Sequence, residues 1–267
     1  MTEKATVTDP RKLTDTIFLA MEDKARLPFK SLVVLGVLAG VYIGLGGLVA
    51  TIALAGATGL PYGIGQISAG VAFSVGLALV LIAGAELFTG NTLMAGPVAV
   101  KRLSPAEASH ALAVVYFSNF VGSLLLVVLV ALTGVHDAGD GAVGRSAIDL
   151  GNSKTGNAFI ATLASGILAN MLVCLAVWLA YAGSTVTEKI VGLIFPIATF
   201  VAAGLEHSVA NMYLLPYAYF VQFTFEDAPA WISLGDIVFN LVPATIGNII
   251  GGSIVAVAYG CVFQGVK

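Results

Sequence analysis

Apolar residues run along this chain in long blocks. Residues 31–55, 67–87, 111–133, 159–182, 190–205 and 237–263 are almost free of charge. A helix needs roughly 20 apolar residues to cross ~30 Å of hydrocarbon, and these blocks have about that length. Two of them continue past a polar interruption, as residues 92–100 and 209–223. We read those stretches as continuations of the second and fifth blocks. The pattern predicts an all-α membrane protein with six transmembrane helices, the second and fifth of them broken.

The first 30 residues depart from this pattern, being dense in charge. Thr8 or Asp9 is a candidate cap for a helix with Pro10 at its first position. Ile17, Phe18 and Met21 then share one face, which predicts an amphipathic segment lying on the lipid surface. The expected division is therefore 1–30, an amphipathic N-terminal segment on the cytoplasmic side, and 31–267, a six-helix transmembrane domain. No apolar stretch of signal-peptide type follows the first methionine.

Composition sharpens the class. The chain is 58% hydrophobic and only 10% charged, with mean hydropathy +0.97. A soluble domain carries about a quarter charged residues, so too little charge is present here to cover a water-facing surface. The net charge of −3 gives no global basic field, which excludes nucleic acid as a partner. No Gly-x-Ser-x-Gly, His-Glu-x-x-His or P-loop lysine occurs, so no enzyme is expected and no cofactor. A metal site is not expected either, because His110, His136 and His207 stand at no ligand spacing. Cys174 and Cys261 fall in apolar blocks and read as small buried hydrophobes.

Basic residues set the orientation. With six spans, Lys4, Arg11, Lys12, Lys24, Arg26, Lys30, Lys101, Arg102, Lys189 and Lys267 share one side, against Arg145 and Lys154 on the other. The positive-inside rule then places both termini in the cytoplasm of a multi-pass inner (plasma) membrane protein.

The two halves echo one another. Glu86 to Asn91 and Glu206 to Asn211 are both Glu-x4-Asn, and each falls at a break. Asn119 with Gly122, and Asn248 with Gly251, repeat Asn-x-x-Gly in the third block of each half. Three spans per half make the second half inverted relative to the first. Inverted repeats with broken helices are a transport architecture, the path lying where the breaks meet. Glycines at four-residue spacing (Gly36, Gly40 and Gly44; Gly247 and Gly251) predict close helix contacts, within a subunit or between subunits.

Ionisable groups at membrane depth are expensive and mark function. Glu86, Glu206 and His207 are such groups. Each glutamate has a second reading, as acceptor for backbone N–H groups freed at its break. His207 lies in an apolar run and is a candidate to bind an anion and hand on a proton, with Glu206 holding the imidazole. Thr89, Asn91, Asn211 and Asn248 either bond across helices or line the path. Phe73, Leu77, Phe88 and Phe200 carry no signal of their own. Lys154 and Lys189 read either as solvated loop lysines or as an anion funnel.

Ala85-Glu86-Leu87-Phe88-Thr89-Gly90-Asn91 and Gly204-Leu205-Glu206-His207-Ser208-Val209-Ala210-Asn211-Met212 resemble the two motifs of the formate/nitrite transporter family. Phe73–Leu77, Asn170–Trp178 and Thr245–Gly252 extend the likeness, which runs from about residue 28 to the end. The resemblance implies an aquaporin-like fold assembled as a homopentamer with one pore per subunit. It implies transport of a small monovalent anion, formate first, with nitrite or hydrosulfide as alternatives. It places His207 at the pore centre with Thr89, Asn211 and Asn248 around it. Phe73, Leu77, Leu87, Phe88 and Phe200 become the constrictions and their loop, and Lys154 and Lys189 the approaches. Proton-coupled transport through His207 and a passive channel are both expected mechanisms, and the sequence does not choose between them. A neutral-solute facilitator and a scaffold that transports nothing are the readings of another class.

Overall fold

The computed structural model describes residues 8–225 and 231–265. Lys4 and Lys267 lie outside them. The described residues form helices and turns with no strand. In chain order the helices are α1 Pro10–Ala25, α2 Phe29–Leu54, α3 Tyr62–Ala83, α4 Phe88–Asn91, α5 Ala95–Ala99, α6 Pro105–Leu132, α7 Ala142–Thr155, α8 Phe159–Ala182, α9 Val186–Ala202, α10 Ser208–Val221 and α11 Leu234–Phe263. Five of these (α2, α3, α6, α8 and α11) are long and apolar enough to cross a membrane. The remaining apolar block is divided into α9 and α10. Its counterpart in the first half is α3 followed by α4 and α5.

Local chemistry sets the ends of these helices. Ser104 and Glu107, Thr185 and Glu188, and Ser233 and Asp236 form reciprocal capping boxes at the starts of α6, α9 and α11. The two breaks begin alike. Gly84 and Gly204 adopt left-handed backbone at φ 76° and 66°, where a Cβ would be strained. Next come Ala85 N–H to Val80 O at 2.9 Å and Leu205 N–H to Phe200 O at 3.0 Å.

The glycine stripes lie within the subunit. Gly40 and Gly122 bring α2 and α6 into backbone contact, each against the other helix, and Gly247 and Gly251 do the same for α11 against α8. A methyl group on Gly251 would overlap the Ile167 carbonyl. Gly251→Ala is therefore expected to destabilise by about 1–3 kcal/mol. Gly59→Ala, with open space around it, is expected to be neutral. Apparent melting temperatures in detergent check both.

Three expectations change. The apolar face of α1 meets protein within the subunit. Asp9, not Thr8, caps the helix by accepting from Arg11 and Lys12 N–H. Its apolar face, Leu13, Ile17, Phe18 and Met21, is buried against α5, α6, α8 and α11. Arg102 pairs with Asp15 and Glu22, both at 2.6 Å, and ties α1 to the turn before α6. Residues 142–155, outside every apolar block, form α7. Cys174 is buried but Cys261 is exposed on α11, and both are free thiols.

Candidate functional site

Each break exposes backbone groups that hydrocarbon cannot satisfy. One asparagine per half satisfies them. Asn119 Oδ1 accepts from Phe88 N–H at 2.9 Å, while its Nδ2 donates to Gly36 O and Glu86 O at 2.7 and 2.9 Å. Asn248 Oδ1 accepts from Ser208 N–H at 2.8 Å, and its Nδ2 donates to Gly166 O and Glu206 O at 2.8 and 2.9 Å. The wiring is the same, bond for bond.

The carboxylates follow the same plan with one difference. Glu86 accepts from Asn91 Nδ2 at 2.7 Å and pairs with Lys24 at 2.5 Å, so both its oxygens are used. Glu206 Oε2 takes Asn211 Nδ2 at 2.5 Å, Lys154 Nζ at 3.3 Å and Asn240 Nδ2 at 3.3 Å. Glu206 Oε1, Asn211 Oδ1 and Ser208 Oγ are buried with no partner among the described residues. Lys24 and Lys154 both occupy the last turn of an amphipathic helix, α1 and α7. Lys154 is therefore no solvated loop lysine; its side chain is only 9% exposed.

His207 stands where the first half has Leu87. It is the N-cap of α10, and its Nδ1 accepts from Ala210 N–H at 3.0 Å. A nitrogen that accepts carries no proton, so the neutral ring holds its proton on Nε2. Nε2 lies 2.9 Å from Thr89 Oγ1 and donates to it. This bond joins the two breaks directly. The imidazole donates to Thr89 and accepts from Ala210, whereas Glu206 holds Lys154, Asn211 and Asn240. The expected orienting role of Glu206 is thus taken by a backbone N–H.

Two cavities lie near the Thr89–His207 bond, one lined by His207 and the other by Gly90, the residue after Thr89. The larger, about 260 Å³, is lined by Lys154, Phe73, Phe200, His207 and Asn211 among others. The smaller, about 20 Å³, is lined by Lys24, Leu77, Leu87 and Asn91 among others. The Phe73 and Phe200 rings meet edge to face at 5.4 Å, and Phe200 stacks on His207 at 5.7 Å. The structure therefore gathers His207, Thr89, Asn211, Phe73 and Phe200 at one place, with Leu77 and Leu87 beyond it. Glu206 and Asn248 stand behind, holding the breaks. Phe88 points elsewhere: its ring packs on Tyr116 at 4.8 Å, and it lines neither cavity. Lys189, in the first turn of α9, lines neither cavity as well.

Sequence reasoning missed Lys24, Asn170 and Asn240. Asn170 Nδ2 reaches Asn248 O at 2.6 Å, Thr92 Oγ1 at 2.9 Å and Thr89 O at 3.2 Å, linking the two halves. Asn240 Nδ2 donates to Lys154 O at 3.0 Å and its Oδ1 accepts from Asn211. A polar amide inside an apolar block was the available signal for both. Lys24 becomes visible only when α1 is matched to α7.

Comparisons with known proteins agree with this geometry. The family model described as formate/nitrite transporter matches residues 11–261. The formate channel FocA of Escherichia coli (strain K12) is 35% identical over 233 residues, covering 82% of this chain and 81% of that protein. A probable formate transporter of Methanothermobacter thermautotrophicus is 37% identical over 249 residues, covering 87% and 88%. A solved pentameric formate channel with formate bound superposes with a TM-score of 0.81 at 34% identity, covering 88% of this chain and 97% of that one. These relatives carry the names of channels and transporters, not of enzymes. With its apolar helices and two wired breaks, this chain is an integral membrane protein and belongs to the formate/nitrite transporter family.

Proposed function

We propose that this protein conducts formate, and with it other small monovalent anions, across the inner membrane. The observation that carries this reading is the bond between Thr89 and His207, which joins two identically wired breaks near two cavities. The relatives named as formate channels and transporters point to formate first.

The chain is read as six spans in an aquaporin-like inverted 3+3 repeat, α3 to α5 and α9 to α10 being the broken ones. Each half opens with an amphipathic helix whose last-turn lysine meets the glutamate of the break. The lysine and arginine distribution puts both termini in the cytoplasm, with the Lys154 cavity on the opposite face. Assembly as a homopentamer follows the solved relative.

A bare anion in hydrocarbon is very costly. Lys154 raises the anion concentration in its cavity. The apolar neck of Phe73 and Phe200 favours the neutral acid over the anion. We assign the proton step to the water of the cavity, and to His207 the role of a neutral donor through Nε2–H. Nδ1, held by Ala210 N–H, supports this assignment, because a relay through the ring needs that nitrogen. Leu77 and Leu87 form the second constriction.

The test is flux into proteoliposomes holding only this protein, with formate, nitrite, hydrosulfide, chloride and glycerol compared at two pH values. Formate uptake is expected to dominate and to rise at the lower pH. Chloride, which has no neutral acid form there, is expected below about a tenth of formate. Dominant nitrite or hydrosulfide flux moves the substrate within the family. Glycerol flux alone, or none, removes the anion-transport reading.

A further inference from the structure

The two cavities differ in a way that the repeat does not require. Beside Lys24 there is room for about 20 Å³, and beside Lys154 for about 260 Å³. A single water needs about 10–15 Å³ on this measure, so the larger space is far more than formate needs. Its walls carry Leu150, Leu214 and Ala50, with Phe73 and Phe200 closing its floor. Lys154 supplies one cation at the wall. Its ammonium has three N–H donors. Two acceptors stand near it, Glu206 Oε2 at 3.3 Å and Leu205 O at 3.4 Å, which leaves one N–H for a ligand. Mostly apolar walls with a few polar groups, here Gln66, Ser153 and Asn211, and a single placed charge are the makeup of a small-molecule site.

We infer that this vestibule binds monocarboxylates bearing a compact apolar group, benzoate being the probe, and that such acids block the path without crossing it. The carboxylate meets Lys154, the ring meets Leu150 and Leu214, and the Phe73–Phe200 neck is too tight for the ring to pass. The site exists on the α7 face only, because the Lys24 cavity has no room for it. Block of flux rests on the transport reading above, whereas binding itself does not.

Calorimetry of the detergent-solubilised protein with benzoate, and with neutral benzamide, tests the binding. Benzoate inhibition of formate flux in the proteoliposomes tests the block. Both are run near neutral pH, with protein-free liposomes as the baseline for benzoate's own permeation. Benzoate is expected to bind and inhibit, and benzamide to do neither. Lys154→Met is expected to weaken binding by about 30-fold or more. Ala50→Leu, which fills the cavity and leaves every charge in place, is expected to weaken it by about tenfold. No heat with benzoate, or unchanged affinity in Ala50→Leu, overturns the site. Protein-dependent benzoate uptake at the rate of formate overturns the block. Benzoate binding with no formate flux keeps the site and removes the transport reading. Formate flux without benzoate binding does the reverse.

Discussion

Asn248→Ala is expected to destabilise the protein by about 2–6 kcal/mol, enough to lower the melting temperature sharply and to break up the oligomer in detergent. The estimate follows from what the amide holds. Two backbone groups at the break lose the side chain at once, Ser208 N–H and Glu206 O, and Gly166 O is left with its helical bond alone. Each buried group left unsatisfied costs about 1–3 kcal/mol, and water is not at hand to replace the side chain. Asn248→Asp keeps the acceptor Oδ1 but loses both donors and places a carboxylate against two carbonyls. It is expected to be as damaging as alanine. Because Asn119 makes the same three kinds of bond, to Phe88, Gly36 and Glu86, Asn119→Ala is expected to match Asn248→Ala. Melting curves and size-exclusion profiles of the three variants check this. A near-native profile for any of them would mean that the break satisfies its backbone by another route.

The apolar blocks were legible because hydrocarbon sets their length, and the breaks because Glu-x4-Asn interrupts two of them. Residues 142–155 were not legible as a helix. α7 is short, half polar and bounded by glycine, so neither hydropathy nor a capping box marks it. Losing α7 also hid the match between its Lys154 and Lys24 of α1. The apolar face of α1 was read correctly, but sequence alone cannot say whether such a face meets lipid or protein. Only the family resemblance puts Phe88 in the constriction loop with Leu87 and Thr89. In a four-residue helix the face that each side chain takes is set by its neighbours, here Tyr116.

The role given to Glu206 failed for a related reason. Adjacency in sequence invites pairing of Glu206 with His207. The backbone at His207 is extended, at φ −113° and ψ 111°, and successive side chains on extended chain point to opposite sides. The carboxylate therefore turns toward Lys154, Asn211 and Asn240, and the imidazole toward Thr89 and Phe200. The result separates two tasks: one side chain braces the break while the other faces the neck.

That separation makes His207→Phe the most informative change at the neck. Phenylalanine keeps the ring's bulk and its stacking on Phe200, so the oligomer is expected to form. Two hydrogen bonds are lost. Ala210 N–H loses its cap, worth about 1 kcal/mol of stability. The Nε2–H donor also goes, and a hydrogen bond between neutral groups is worth about 0.5–1.5 kcal/mol. With that bond made to the neutral acid at the neck, formate flux falls roughly 2- to 13-fold. The pH profile decides what the imidazole does. As a neutral donor it sets the height of the profile and not its shape, so the mutant curve is expected to run parallel to the wild-type curve. A flattened curve would route the proton through the ring, and unchanged flux would remove His207 from the path. His207→Asn separates the two losses. Asparagine is a good N-cap residue, yet its shorter side chain falls short of Thr89. It is therefore expected to restore most of the stability while leaving flux as low as in His207→Phe.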